Sequence, residues 1–252
     1  MRASLSALTV VEARRLLLHP FLLVGLALSI LLIVASIPRE GQLHAFLLMG
    51  LAVLPLALGV FIAANLAAMR SRRDRAEELL DTLPQDARVR TGAQLLAVAV
   101  TVPLAVALLA AAYLLFGAGN GLVVSVIGTR HVPAAAELLQ GPVLVLALGA
   151  VGVLLGRLAP VAPLALLLAV AVVLLEVPLA AWAPDTAWRW VVPLANSIVS
   201  VPDGWTACEP RMNRSCGIVD YFDIVGMAWH VLGLAAVAAV ASMVALAAGR
   251  RD

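Results

Sequence analysis

"LHAFLLMGLAVLPLALGVFIAANLAAMRSRRDRAEELLDTLPQDARVR", residues 43–90, changes character once, at Met69. Residues 43–68 contain no Asp, Glu or Arg, whereas residues 69–90 hold six of the chain's seventeen arginines and five of its fifteen acids. A helix needs about 20 predominantly apolar residues to cross roughly 30 Å of hydrocarbon. The first part is long enough to cross, and the polar part after it must lie in water. A helical membrane protein is the fold class that accommodates both.

The rest of the chain agrees. Of 252 residues, 63% are hydrophobic and 13% charged, with a mean hydropathy of +1.04, beyond what the core of a soluble domain of this size requires. Six apolar runs separated by polar or Pro/Gly breaks are the predicted spans: 21–37, 43–68, 93–116, 138–155, 161–182 and 225–248. The expectation is one all-α transmembrane domain over residues 1–252. The first run follows Arg14 and Arg15 and ends in the small residues "VAS", the outline of a signal peptide, but it exceeds the roughly 7 to 15 residue core of such a signal.

Basic residues resist translocation and collect on the cytoplasmic side. With six spans, one side carries Arg2, Arg14, Arg15, Arg70, Arg72, Arg73, Arg75, Arg88, Arg90, Arg157, Arg250 and Arg251, and the other only Arg39, Arg130, Arg189, Arg211 and Arg214. Both termini are therefore expected in the cytoplasm. Cys208 and Cys216 fall between spans five and six, on the outside, where a disulfide can persist. Closing that loop would contribute roughly 2 to 3 kcal/mol; the alternative is two free thiols.

Within the polar segment, Ala76, Leu79, Leu80 and Leu83 stand at i, i+3, i+4 and i+7, one face of a helix, and Pro84 stops it. The other faces carry Arg73, Arg75, Glu77, Glu78 and Asp81, with Arg73 and Glu77 spaced for an i, i+4 pair. Such a helix could lie on anionic headgroups. The acids lie among the leucines, however, where anionic lipid would repel them, and this favours a protein partner.

"RAEELLDTLP", residues 75–84, followed by Arg88 and Arg90, resembles the first cytoplasmic loop of type 2 permeases, the membrane subunits of bacterial ATP-binding-cassette (ABC) exporters. In that family a basic and acidic run leads into a "LELL-x-x-x-P" type pattern and then the third span. The usual Gly-Thr before the leucines is missing, and Gln94 stands where a Lys often opens that span. The resemblance implies a coupling helix, formed here by Arg72, Arg73, Arg75, Glu77, Glu78, Leu79, Leu80 and Leu83, that docks on a separate ATPase subunit. Residues 1–19, with Glu12, Arg14 and Arg15 before His19 and Pro20, resemble the family's amphipathic elbow helix. "GRLAP", residues 156–160, is similar to its minimal second cytoplasmic loop. Residues 177–202 resemble its external segment, often built as re-entrant helices before the last span.

The chain has no lysine, so the phosphate-gripping G-x-x-x-x-G-K-[ST] loop is impossible. The chain is not expected to be an enzyme: it lacks H-E-x-x-H, G-x-S-x-G and C-x-x-C patterns and any metal set. The resemblance implies that ATP and Mg²⁺ belong to the partner ATPase, that a second permease copy or a paralogue completes the pathway, and that the complex sits in the bacterial inner membrane, with no nucleic acid involved.

Inside the predicted spans, Glu176, His230 and Asn65 are the pathway candidates. An intramembrane acid is expensive and by default functional, although Glu176 could equally be a hydrogen-bonding group at a solvated vestibule. His230, at comparable depth, is its most plausible partner, or packs within the bundle. Asn65 either lines a pathway or bonds a neighbouring helix. Gly152 and Gly156 have the small-xxx-small spacing of close helix packing. Trp182, Trp188, Trp190, Trp205 and Trp229 fall at the outer boundary, where indoles anchor. Two rivals fit the same spans: an ion-coupled secondary transporter using Glu176, and a haem-exporter type permease.

Overall fold

The computed structural model describes residues 2–35, 45–73, 87–117, 122–124, 129–159, 161–182, 193–194, 198–202 and 218–248. Among these, eight helices appear: α1 (Arg2–Leu17), α2 (Pro20–Ala35), α3 (Ala45–Arg73), α4 (Ala87–Ala99), α5 (Val102–Gly117), α6 (Ala135–Leu158), α7 (Ala162–Trp182) and α8 (Ile224–Ala248). Two antiparallel ribbons accompany them, β1 (Leu122–Val124) with β2 (Thr129–His131), and β3 (Ile198–Pro202) with β4 (Ile218–Phe222). Among the described residues four stretches are long and apolar enough to cross a membrane, in α3, across α4 and α5, in α6 and in α8. A fifth appears if α1 and α2 count as one span bent by 56°.

α3 is the hub, packed against α2, α6, α7 and α5 and the most enclosed of the four. Hydrocarbon gives lipid-facing helices no hydrophobic reason to associate, so close backbone approach must hold them. Glycines supply it. A Cβ on Gly59 would lie 2.6 Å from the Phe21 carbonyl oxygen of α2, and one on Gly25 would strike the Pro55 carbonyl of α3. On α6, a Cβ on Gly152 would strike the Phe61 carbonyl, and one on Gly156 would lie 2.6 Å from the Asn65 oxygen and 2.7 Å from Ala68 Cβ. The expected small-residue packing of Gly152 and Gly156 is therefore present, and its partner is α3.

Pro55 inside α3 removes one donor from the ladder and loosens the turn around it. Ser29 of α2 compensates there: its hydroxyl accepts a hydrogen bond from the Leu56 N–H at 3.1 Å, with Ser29 fully buried. Membrane helices tolerate proline through such side-chain substitutes.

Several boundaries differ from the expected ones for local reasons. Run 93–116 is two helices, because the turn at Val100 and Thr101 is followed by Pro103 in the first turn of α5, where its missing N–H does no harm. The Thr101 hydroxyl donates to the Val98 carbonyl at 2.7 Å and stabilises the break. α3 continues five residues past the expected end at 68, since hydropathy marks the edge of the apolar run and not the end of the helix. "GRLAP" is not a loop over 156–160: α6 runs through Leu158, and the Ala159 N–H still bonds the Leu155 carbonyl at 2.8 Å.

Two helix starts are capped by acids, as the macrodipole favours. Asp223 accepts from the Gly226 N–H at 2.8 Å ahead of α8, and Glu137 reaches back to the Ala134 N–H at 2.6 Å ahead of α6. Ribbon β3–β4 pairs Ile198 with Phe222 and Pro202 with Ile218 directly before α8. Re-entrant helices were expected in part of that region; residues 198–202 are strand instead, in keeping with their β-branched residues. Cys208 and Cys216 lie outside the described residues.

Candidate functional site

Arg157, Gln94 and Asn65 come together at the end of the bundle where α1 lies, at the junction of α3, α4 and α6. Arg157, in the last turn of α6, is only 5% exposed. A buried guanidinium is tolerable only when its donors are engaged. Its Nη2 donates to Gln94 Oε1 of α4 at 3.4 Å, and Gln94 Nε2 donates in turn to the Ala67 carbonyl of α3 at 3.3 Å. This relay ties three helices together through one side-chain amide.

Asn65, 1% exposed, sits one level deeper, and its Nδ2 donates to the Gly152 carbonyl at 3.3 Å. It takes the helix-bonding alternative at the α3–α6 contact. Arg90, in the first turn of α4, has Nε and Nη1 buried with no hydrogen-bond partner among the described residues. α1 covers this junction: Ala13 and Leu16 are buried, and Glu12 and Leu16 share a small cleft with Gln94 and Val153. Glu12 pairs with Arg15 at 3.4 Å.

Gln94 and Arg157 were not singled out as a site by the sequence. The signal available was a polar residue inside each of two helices at comparable distances from their α1 ends. Replacing Gln94 by Leu should destabilise the detergent-solubilised protein by about 1–3 kcal/mol, since a buried guanidinium N–H and a carbonyl both lose a partner. Thermal unfolding followed by size-exclusion chromatography measures it. A Gln94→Leu melting point equal to wild type would mean that the relay does not bear on stability.

Of the expected coupling residues, Arg72 and Arg73 lie in the last turn of α3. Arg75, Glu77, Glu78, Leu79, Leu80 and Leu83 fall in residues 74–86, outside the described residues. That segment joins α3, the enclosed hub, to α4, whose first turn carries Arg88 and Arg90. His230 is 1% exposed on the buried side of α8. Glu176 occupies α7, and its side chain lies outside the described residues. α7 packs on α3, whereas α8 packs along α6 and against α4.

His19 has a definite role at the bend between α1 and α2. Its Nδ1 accepts the Phe21 N–H at 3.4 Å, capping α2, and its ring stacks on Phe21 at 5.8 Å. Burial first, and the nearby Arg70 guanidinium second, hold its imidazole below the ordinary histidine value. The cap needs the neutral ring. Because the folded value is lowered, the unfolded chain binds the proton more readily, so the contribution is present above about pH 6.5 and is lost as pH falls through the folded value. The melting point should therefore fall as the pH drops through that window. His19→Asn, which caps without titrating, should flatten the profile; an unchanged slope in His19→Asn would overturn the assignment.

Comparison of the chain with protein-family models, with curated proteins and with solved structures found no match.

Proposed function

We propose that the chain is the membrane subunit of an ABC exporter, forming half of a substrate pathway and drawing its energy from a separate ATPase subunit. The observation that carries this reading is the position of the arginine-rich segment. In sequence, residues 74–86 join the hub helix α3 to α4, and α1 packs on α4 and α3. A force applied to residues 74–86 would reach the bundle's centre through α3, which is the mechanical requirement for coupling. The remaining supports are the amphipathic spacing of Leu79, Leu80 and Leu83, the arginine bias between the two sides and the absence of lysine, and hence of a phosphate loop.

In this reading the six apolar helical regions are six spans: α2, α3, α4 with α5, α6, α7 and α8. α1 is the elbow on the inner surface, both termini are cytoplasmic, and the ribbons lie outside with Cys208 and Cys216. Two such subunits stand over two ATPases, whose closure on ATP pushes the coupling segment and tilts α3 and α4 to open the pathway outward.

The test is purification of the tagged chain from its native membrane in several mild detergents, with mass spectrometry of what accompanies it. A nucleotide-binding subunit at near-equal stoichiometry is expected. Its absence in every detergent would remove the ABC reading.

A further inference from the structure

α1 covers the junction of α3, α4 and α6, and a small cleft lies beneath it. Glu12 and Leu16 of α1 and Gln94 of α4 line this cleft, together with apolar side chains of α3, α4 and α6. Its volume is about 10 Å³, room for about one water molecule and for no larger ligand. Glu12 and Gln94 are the two polar side chains in its wall.

The Gln94 amide is oriented by the groups that hold it. Arg157 can only donate, so it takes Oε1, and the Ala67 carbonyl can only accept, so it takes one of the two N–H bonds of Nε2. Gln94 therefore keeps a second N–H to give. A carboxylate such as Glu12 can only accept. The one direct partner of Glu12 among the described residues is Arg15, 3.4 Å away and 54% exposed, a surface pair of little strength. The cleft thus has a donor in one wall, an acceptor in another and space for one small molecule. A cation would meet the amide N–H and the Arg157 guanidinium behind it, and an anion would meet the carboxylate. Water alone accepts from the first and donates to the second.

We infer that this cleft is a binding site for one structural water molecule, which bridges Gln94 Nε2 to the Glu12 carboxylate and latches α1 to the bundle. The relay then runs from Arg157 through Gln94 and the water into α1, and ties four helices where the direct bonds tie three. α1 packs chiefly on α4, the helix that carries Gln94, so the bridge fixes how these two helices lie on each other. Bridging water of this kind is nearly as favourable as a direct hydrogen bond. The inference rests on the packing of α1 and not on the exporter reading.

The test is amide hydrogen exchange of α1 in the full-length chain in detergent, followed by mass spectrometry. Glu12→Leu should speed exchange in α1 by about tenfold, the loss of one hydrogen bond to a charged group. Arg15→Gln, which removes only the surface pair, should leave it near wild type. Glu12→Gln still offers an oxygen to the water and should stay close to wild type. In a Gln94→Leu background the bridge is already broken, so adding Glu12→Leu should change α1 little. Equal effects of Arg15→Gln and Glu12→Leu would assign Glu12 to the surface pair, and Glu12→Gln exchanging as fast as Glu12→Leu would make the link a bare charge attraction. Fully additive effects of Glu12→Leu and Gln94→Leu would separate the two residues. Each of these results would overturn the site. A high-resolution map of the wild type, independent of any variant's folding, should show one ordered water within about 2.7–3.2 Å of both groups; ordered Glu12 and Gln94 side chains with no density between them would also overturn it. No ATPase enters these measurements, so their failure and that of the exporter reading are separately visible.

Discussion

Gly156→Leu is expected to prevent the bundle from assembling. At Gly156 even a methyl group would sit 2.6 Å from the Asn65 carbonyl oxygen and 2.7 Å from Ala68 Cβ, and real Cβ atoms essentially never approach that closely. Neither obstacle is the yielding tip of a side chain. The oxygen belongs to the backbone of α3, and that helix is fixed on its other faces by α2 and α7. Relief therefore means separating α6 from α3 along their length, which also breaks the Asn65–Gly152 bond and strains the Arg157–Gln94–Ala67 relay. Overpacking by one methyl costs about 1–3 kcal/mol in a close-packed interior. A leucine at a backbone contact costs more, against a total stability of about 5–15 kcal/mol.

Gly233→Leu is the matched control. It lies in α8, and a Cβ there meets nothing within 4 Å. It should express and elute as wild type, while Gly156→Leu should aggregate or fail to accumulate, and Gly156→Ala should fall between them. If Gly156→Leu and Gly233→Leu gave the same monodisperse yield and melting point, the close packing of α3 on α6 would be wrong.

Gly152 and Gly156 were legible in the sequence because their spacing carries a physical mechanism that needs no partner to be named. The outlines of α7 and α8 were legible for a simpler reason: an apolar run with a polar edge at each end has nowhere else to stop, and the expected 161–182 and 225–248 match Ala162–Trp182 and Ile224–Ala248 within a residue. What hydropathy does not encode is backbone continuity. The break at Thr101 leaves the apolar run unbroken, and the extension of α3 to Arg73 crosses its edge, because arginine is a good helix former in water. Pro103 was the available sign of the first.

The polar sites were harder. Arg157 reads as one more cytoplasmic arginine until its neighbours in space are known, and Gln94 lies 63 residues away in sequence. Asn65 could be read either way, and only the position of the Gly152 carbonyl decides between a pathway group and a link between helices. The ribbons are short strands between helices, where three to five residues carry too little pattern to separate from loop.

On the exporter reading proposed above, Leu79→Arg together with Leu83→Arg is expected to strip a co-purifying ATPase subunit while leaving this chain folded. If the segment is a coupling helix, these two leucines are apolar anchors seated in a groove of the partner. Each buried anchor of this kind contributes about 2 kcal/mol or more, so losing both weakens the complex by at least about a thousandfold. Placing a guanidinium where a methyl group sat adds the cost of desolvating an unpaired charge. The fold of the chain itself should not register the change, since the sequence around both positions, residues 69–90, already holds six arginines and five acids. Its elution volume and melting point are the control, and the conservative pair Leu79→Met with Leu83→Met should retain the ATPase. A double arginine variant that keeps full stoichiometry would show that this face is not the docking face and would return the segment to the membrane surface, where added arginines strengthen binding to anionic vesicles. A wild type that carries no ATPase at all would move the search for an energy source to Glu176, the one acid well inside a predicted span. Transport would then depend on an ion gradient, and Glu176→Gln would abolish it.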